Sequence, residues 1–136
     1  VLELAHQLHD QILLVVATGD LDLETAPKLR AVIDAEMVRA QADHLLLDLS
    51  EVGFLDSSGL GAILGRYRTV SAAGGRMGIA GARSAVRRVL RLSGISQIIS
   101  MYSSAETGLR DLSKRRRGRP ARRARCAGDE LEVSAR

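Results

Sequence analysis

Short apolar runs alternate along this chain with segments whose apolar residues recur at helical spacing, and no other feature limits the fold as tightly. Ile12-Leu13-Leu14-Val15-Val16-Ala17 is a partly β-branched run stopped by Thr18-Gly19-Asp20, which predicts a buried strand ending in a turn. Thr25 then stands as an N-cap, Pro27 falls where a first helical turn tolerates it, and Leu29, Val32, Ile33 and Met37 follow at helical spacing. A helix over 26–40 is expected. His44-Leu45-Leu46-Leu47-Asp48-Leu49 predicts a second strand, covered on at least one face. After a short loop, Asp56-Ser57-Ser58 opens a second helix that carries Leu60, Ile63, Leu64 and Tyr67 and closes at Ala73-Gly74-Gly75. A strand at 76–80 follows, then a helix capped by Ser84, a short strand between Ile95 and Met101, and a last helix from Ser103-Ser104 to about Leu112. Strands alternating with helices predict an α/β fold with a partly parallel sheet.

The 136 residues suffice for one domain, and a hydrophobic fraction of 46% allows a real interior. Aromatics make up only 2%, so that interior is aliphatic. The net charge of +4 is unevenly distributed: residues 1–113 hold 11 basic and 13 acidic side chains, residues 114–136 hold 9 and 3. The expectation is therefore a mildly acidic domain over 1–113 and a basic, disordered tail over 114–136, whose clustered arginines cannot bury a face. No run is long enough to span a bilayer, no basic-then-apolar leader is present, and Cys126 stands alone. These features predict a cytoplasmic protein without membrane contact.

Function concentrates between Leu46 and Gly61, where strand, loop and helix start place two hydroxyls at a helix N-terminus. Free amides and the positive end of the helix dipole favour an anion there, so a phosphate on Ser57 is expected to be held locally while adding about −1.5 to −2 charge beside Asp56. Ser and Asp before a helix also serve as plain caps, but capping does not explain Gly59, Gly61 and Gly65. Each costs a helix interior about 0.8–1 kcal/mol relative to Ala. Either the helix lies very close to the sheet, or its exposed face receives a partner backbone.

The block Phe54-Leu55-Asp56-Ser57-Ser58-Gly59-Leu60-Gly61-Ala62-Ile63-Leu64-Gly65-Arg66-Tyr67 resembles the signature of STAS-domain anti-sigma factor antagonists of the stage II sporulation protein AA type. Gly19-Asp20-Leu21-Asp22 with Thr25, Gly74-Gly75, and Val86-Arg87-Arg88-Val89-Leu90 through Ser93-Gly94-Ile95 extend the likeness over about residues 10–110. The resemblance implies a STAS fold, a mixed four- to five-stranded sheet with helices packed on one side, and no catalytic activity. It implies a protein, expected to be a monomer, that when unphosphorylated binds a serine-kinase anti-sigma factor and releases the sigma factor for transcription. Phosphorylation of Ser57 ends that binding and a serine phosphatase restores it, in sporulation or a stress response. It further implies that Asp22, Asp56, Ser58, Gly59 and Gly61 surround Ser57 at the partner-facing surface, with Arg66 and Tyr67 further along the helix.

Other readings are weaker. The glycines lack the G-x-G-x-x-G register of a dinucleotide site, and no Gly-Lys-Ser/Thr loop is present, so no enzyme and no cofactor are expected. His6, His9 and His44 lack companion ligands and read as surface histidines, with no metal. Eight basic residues between Lys114 and Arg125 would attract nucleic acid without sequence preference. A STAS scaffold that does not switch remains the alternative closest in fold.

Overall fold

A computed structural model gives the structure of residues 1–114; residues 115–136, including most of the basic tail and Cys126, lie outside the described residues. Strands β1 (Leu2–His9) and β2 (Ile12–Leu21) form an antiparallel hairpin closed by Asp10-Gln11. Then follow α1 (Ala26–Ala40), β3 (His44–Leu55), α2 (Ser57–Ala72), β4 (Met77–Ala80), α3 (Ser84–Leu92), a 3-10 turn (Ile95–Gln97), β5 (Ser100–Tyr102) and α4 (Ala105–Leu112). The sheet order is β1-β2-β3-β4-β5; only the β1–β2 pairing is antiparallel, and the other three are parallel. A mixed five-stranded sheet with four helices is thus the architecture of the described residues, in line with the predicted STAS fold.

Alternation along the central strands assigns the two faces. Leu13, Val15 and Ala17 of β2 and Leu45, Leu47 and Leu49 of β3 enter the main core, which also takes Leu29 and Ile33 of α1, Ile63 of α2 and Leu90 of α3. Ile12, Leu14 and Leu46 face the other way and meet Leu109 and Leu112 of α4. The expectation of helices on one side therefore holds for α1, α2 and α3 and fails for α4. The reason lies in the continuous apolar runs: with no polar residue at alternate positions, both faces of β2 and β3 must be covered, and burying each leucine is worth about 1.5–3 kcal/mol.

Two other expectations change, and one strand is added. The N-terminal residues form a full strand, because Leu2 and Leu4 alternate into the core against β2. β2 and β3 each run further than their apolar runs, to Leu21 and Leu55, through two register shifts that absorb one extra residue apiece. The Ile95–Met101 strand is instead a 3-10 turn followed by three strand residues.

A polar clasp fixes α4 on its face. The Tyr102 hydroxyl donates to Asp111 Oδ2 at 2.6 Å, and Arg76 donates to the same oxygen at 3.1 Å and to the Asp111 carbonyl at 3.2 Å. The Tyr102 hydrogen bond, helped by Arg76 and opposed by partial desolvation, holds the Asp111 carboxyl below the usual carboxylate range. A carboxyl depressed by folding stabilises above its unfolded pKa, near 4, and that contribution is lost as pH falls through the lower folded value. Tyr102→Phe should therefore cost about 1 kcal/mol in urea denaturation at neutral pH. The deficit should shrink once acid has protonated Asp111 in both proteins.

Candidate functional site

The site forms where the parallel strands β2 and β3 end side by side, with Leu21 in register with Leu55. Each strand releases an aspartate into a turn that starts a helix. Asp22 accepts the backbone N–H groups of Glu24 and Thr25, both at 3.0 Å. The Thr25 amide is the main cause that keeps the Asp22 carboxyl below its ordinary value. Thr25 is not the side-chain cap that the sequence suggests. Its buried hydroxyl accepts the Asp22 N–H at 2.9 Å and donates to the Asp20 carbonyl at 2.7 Å, locking the turn from inside.

At the second turn Asp56 is the N-cap of α2. Its carboxylate accepts Ser58 N–H at 2.9 Å and Gly59 N–H at 3.1 Å, while its own N–H donates to the Leu21 carbonyl at 3.1 Å and ties the two turns together. Ser57 is the first helical residue and is exposed, and its hydroxyl has no hydrogen bond among the described residues. Ser58 is half-buried. This geometry alters one expectation. The first-turn amides of Ser58 and Gly59 already serve Asp56, so a phosphate on Ser57 would meet a carboxylate rather than a vacant amide nest.

The structure divides the glycines between the two roles left open by the sequence. A Cβ on Gly59 would stand 2.6 Å from Leu55 Cδ1, 2.7 Å from the Leu21 carbonyl oxygen and 2.9 Å from Leu21 Cβ, so Gly59 allows the helix start to rest on the strand ends. A Cβ on Gly61 or Gly65 would meet nothing within 4 Å. Ser57, Gly61 and Gly65 succeed one another at four-residue spacing, a strip of small residues on a face of α2 that the sheet does not cover. Phe54, 50% exposed, and Leu23, 74% exposed, flank the two turns in sequence. Sequence reasoning gives neither a site role, although a leucine between Asp22 and Glu24 and the chain's one phenylalanine are the available signals.

Two residues expected along the partner surface lie elsewhere. Arg66 is 8% exposed and turns toward α1, its Nε 3.0 Å from Asp34 Oδ1. Buried between helices, it is placed to hold α1 to α2 rather than to meet another protein. Tyr67 is half-buried against the core and lines a shallow cavity with Ser71, Arg76, Met77, Ile98 and Ser100. It stands ten residues from Ser57, about 15 Å along a helix. Asp22, Asp56, Ser58, Gly59 and Gly61 do gather with Ser57 around the paired turns. Among the described residues no cluster of three or more His, Cys, Asp or Glu side chains could hold a metal, and no helix is long and apolar enough to cross a membrane.

Comparison with known proteins places this arrangement. The family model of the STAS domain matches residues 3–108. An anti-sigma F factor antagonist of Paenibacillus polymyxa is 35% identical over 111 residues, covering 82% of this chain and 95% of that protein. Among solved structures, an anti-sigma factor antagonist from Mycobacterium paratuberculosis superposes with a TM-score of 0.74 at 28% identity, covering 84% of this chain and 96% of that one. The Bacillus cell fate determinant SpoIIAA, solved in its phosphorylated form, shares the fold at a TM-score of 0.64 and 23% identity, over 82% of this chain and 98% of that one.

The two classes of glycine separate in a stability measurement. Gly59→Ala should lower stability by about 1–3 kcal/mol through overpacking against Leu21 and Leu55. Gly61→Ala should raise it by up to about 1 kcal/mol through helix propensity. Denaturant melts of the two variants beside the parent check both signs.

Proposed function

We infer from its place in the STAS domain family, to which the chain belongs, that it is an anti-sigma factor antagonist, a regulatory protein that acts by binding rather than by catalysis. Its partner is an anti-sigma factor. We further propose that this partner is a serine kinase of the cytoplasm, that it docks on the paired turns and the small-residue strip of α2, and that it phosphorylates Ser57. Docking sequesters the anti-sigma factor and frees the sigma factor; phosphorylation ends docking, and a serine phosphatase resets the chain.

The observation that carries this reading is the setting of Ser57. Its hydroxyl is exposed at the start of α2, at the head of a strip where Gly61 and Gly65 leave the helix backbone open to close approach. A side chain brought to that hydroxyl would find Leu23 and Phe54 as apolar contacts and Asp22 and Asp56 as acceptors. A phosphate there adds about −1.5 to −2 charge to a rim that already holds Asp20, Asp22, Glu24 and Asp56. Because Asp56 already holds the Ser58 and Gly59 amides, the helix end offers the new charge less compensation, and it faces the partner. Like-charge apposition and lost close contact then oppose docking without disturbing the core.

Ser57→Ala should bind the anti-sigma factor about as tightly as the parent and remain bound in the presence of kinase and ATP. Ser57→Asp should bind at least about tenfold more weakly, or about 1.4 kcal/mol. Calorimetric titration of both variants tests the switch. Equal affinities, or mass spectra after incubation with kinase and ATP that show phosphate on no serine of this loop, would remove it.

A further inference from the structure

The two edges of the sheet are unlike. The β5 edge is three residues long, whereas β1 offers eight. An open edge strand is a template for a further strand, and folded proteins blunt such edges with proline, lysine, bulges or short length. β1 contains no proline and no lysine, and its pairing with β2 runs without a register shift from Leu2 to His9.

The hydrogen-bonding parity of that edge can be read. The hairpin closes through a two-residue loop, so His9 and Ile12 form a hydrogen-bonded pair, and the odd residues of β1 direct their backbone groups toward β2. The even residues direct theirs outward. Two contacts agree with this. The Val1 carbonyl lies against Gly19 of β2, 2.2 Å from where a Cβ would stand, and the Leu2 carbonyl points away from β2 to accept the Lys28 ammonium at 2.6 Å. Lys28 therefore occupies the first outward carbonyl. The outward N–H and C=O groups of Leu4, His6 and Leu8 have no backbone partner among the described residues.

We propose that two copies of this chain join edge to edge through β1, antiparallel, with the two-fold axis at His6, to make one continuous ten-stranded sheet. Only an axis at His6 lets all three free residues bond at once: Leu4 faces Leu8 of the second copy, His6 faces its own counterpart, and each such pair exchanges two hydrogen bonds. The side chains agree with that register. On the α1 face Leu8, 47% exposed, is brought beside the half-buried Leu4 of the other copy, so an apolar side chain now in solvent is covered. On the α4 face Glu3 comes opposite His9 and Ala5 opposite Gln7, so no like charges oppose there, and on the α1 face each His6 meets its counterpart with Glu36 of its own copy 3.7 Å away. A register two residues shorter would set Leu8 against Leu2, whose carbonyl Lys28 already holds. Self-complementarity is the reason for choosing a second copy over a strand of another protein. The interface is separate from the Ser57 turns, so its failure would leave the proposed switch untouched. A dimer of this kind would stand in place of the monomer expected from sequence.

Sedimentation velocity of the full chain from micromolar to near-millimolar concentration tests the proposal. Two variants accompany it. His6→Pro removes one outward N–H without touching the β2 ladder, and Leu8→Lys places a charge at the seam. A concentration-dependent dimer in the parent, with its dissociation constant raised about tenfold or more in both variants while their melting is preserved, supports the pairing. A parent that stays monomeric throughout, including one whose β1 is used by a different protein, overturns it. A dimer that survives both substitutions overturns it as well. If His6→Pro fails to fold, Leu8→Lys decides the question alone.

Discussion

The absence of one methyl group governs where α2 begins. With no side chain at Gly59, the first turn of the helix rests on the ends of β2 and β3, closer to the Leu21 carbonyl than any Cβ could come. That approach lets the Asp56 amide reach the Leu21 carbonyl while the Asp56 carboxylate caps Ser58 and Gly59. Everything distinctive about the site follows. Two strand ends, two aspartate-capped turns and one serine are held in a fixed arrangement by the backbone itself, and the serine is left outside it.

The core supplies the rigidity that such a surface needs. Leucines on both faces of β2 and β3 are buried between three helices on one side and α4 on the other, and the Tyr102–Asp111–Arg76 clasp prevents α4 from sliding. An ion pair between Arg66 and Asp34 also links α1 to α2, the two helices that start at the paired turns. A change of charge at Ser57 is then read by whatever lies outside the rim, since the structure beneath has little freedom to respond. This is a switch of surface chemistry and not of fold.

Much of this was legible in the residues. The α1 limits, the start of α2 at Asp56-Ser57, the start of α4 after Ser103-Ser104 and the exposed hydroxyl at the helix mouth all follow from local patterns that tertiary contacts do not override. β1 is faint in the sequence although Leu2, Leu4 and Leu8 alternate through it, because two histidines and a glutamate dilute a signal that becomes plain only beside β2. β3 extends six residues beyond its apolar run, since Ser50-Glu51-Val52-Gly53-Phe54 has loop composition and is held as strand by its parallel neighbour. The placement of α4 required knowing that Leu46 and Leu14 face away from Leu45 and Leu13. The inward turn of Arg66 required α1 to be in place. The roles of Gly59 and Gly61 depend on what stands within a few ångströms, which no spacing in the sequence records.

The central claim is that charge on Ser57 alters the rim and spares the fold. Two-dimensional amide NMR spectra of the chain with serine and with phosphoserine at position 57 test it most directly. The account predicts large shifts at Ser58 and Gly59, smaller ones across the Asp22–Thr25 turn, and an unmoved set of resonances from the body of the sheet and α4. Shifts spread through the sheet, or none in the Asp22 turn, would contradict it.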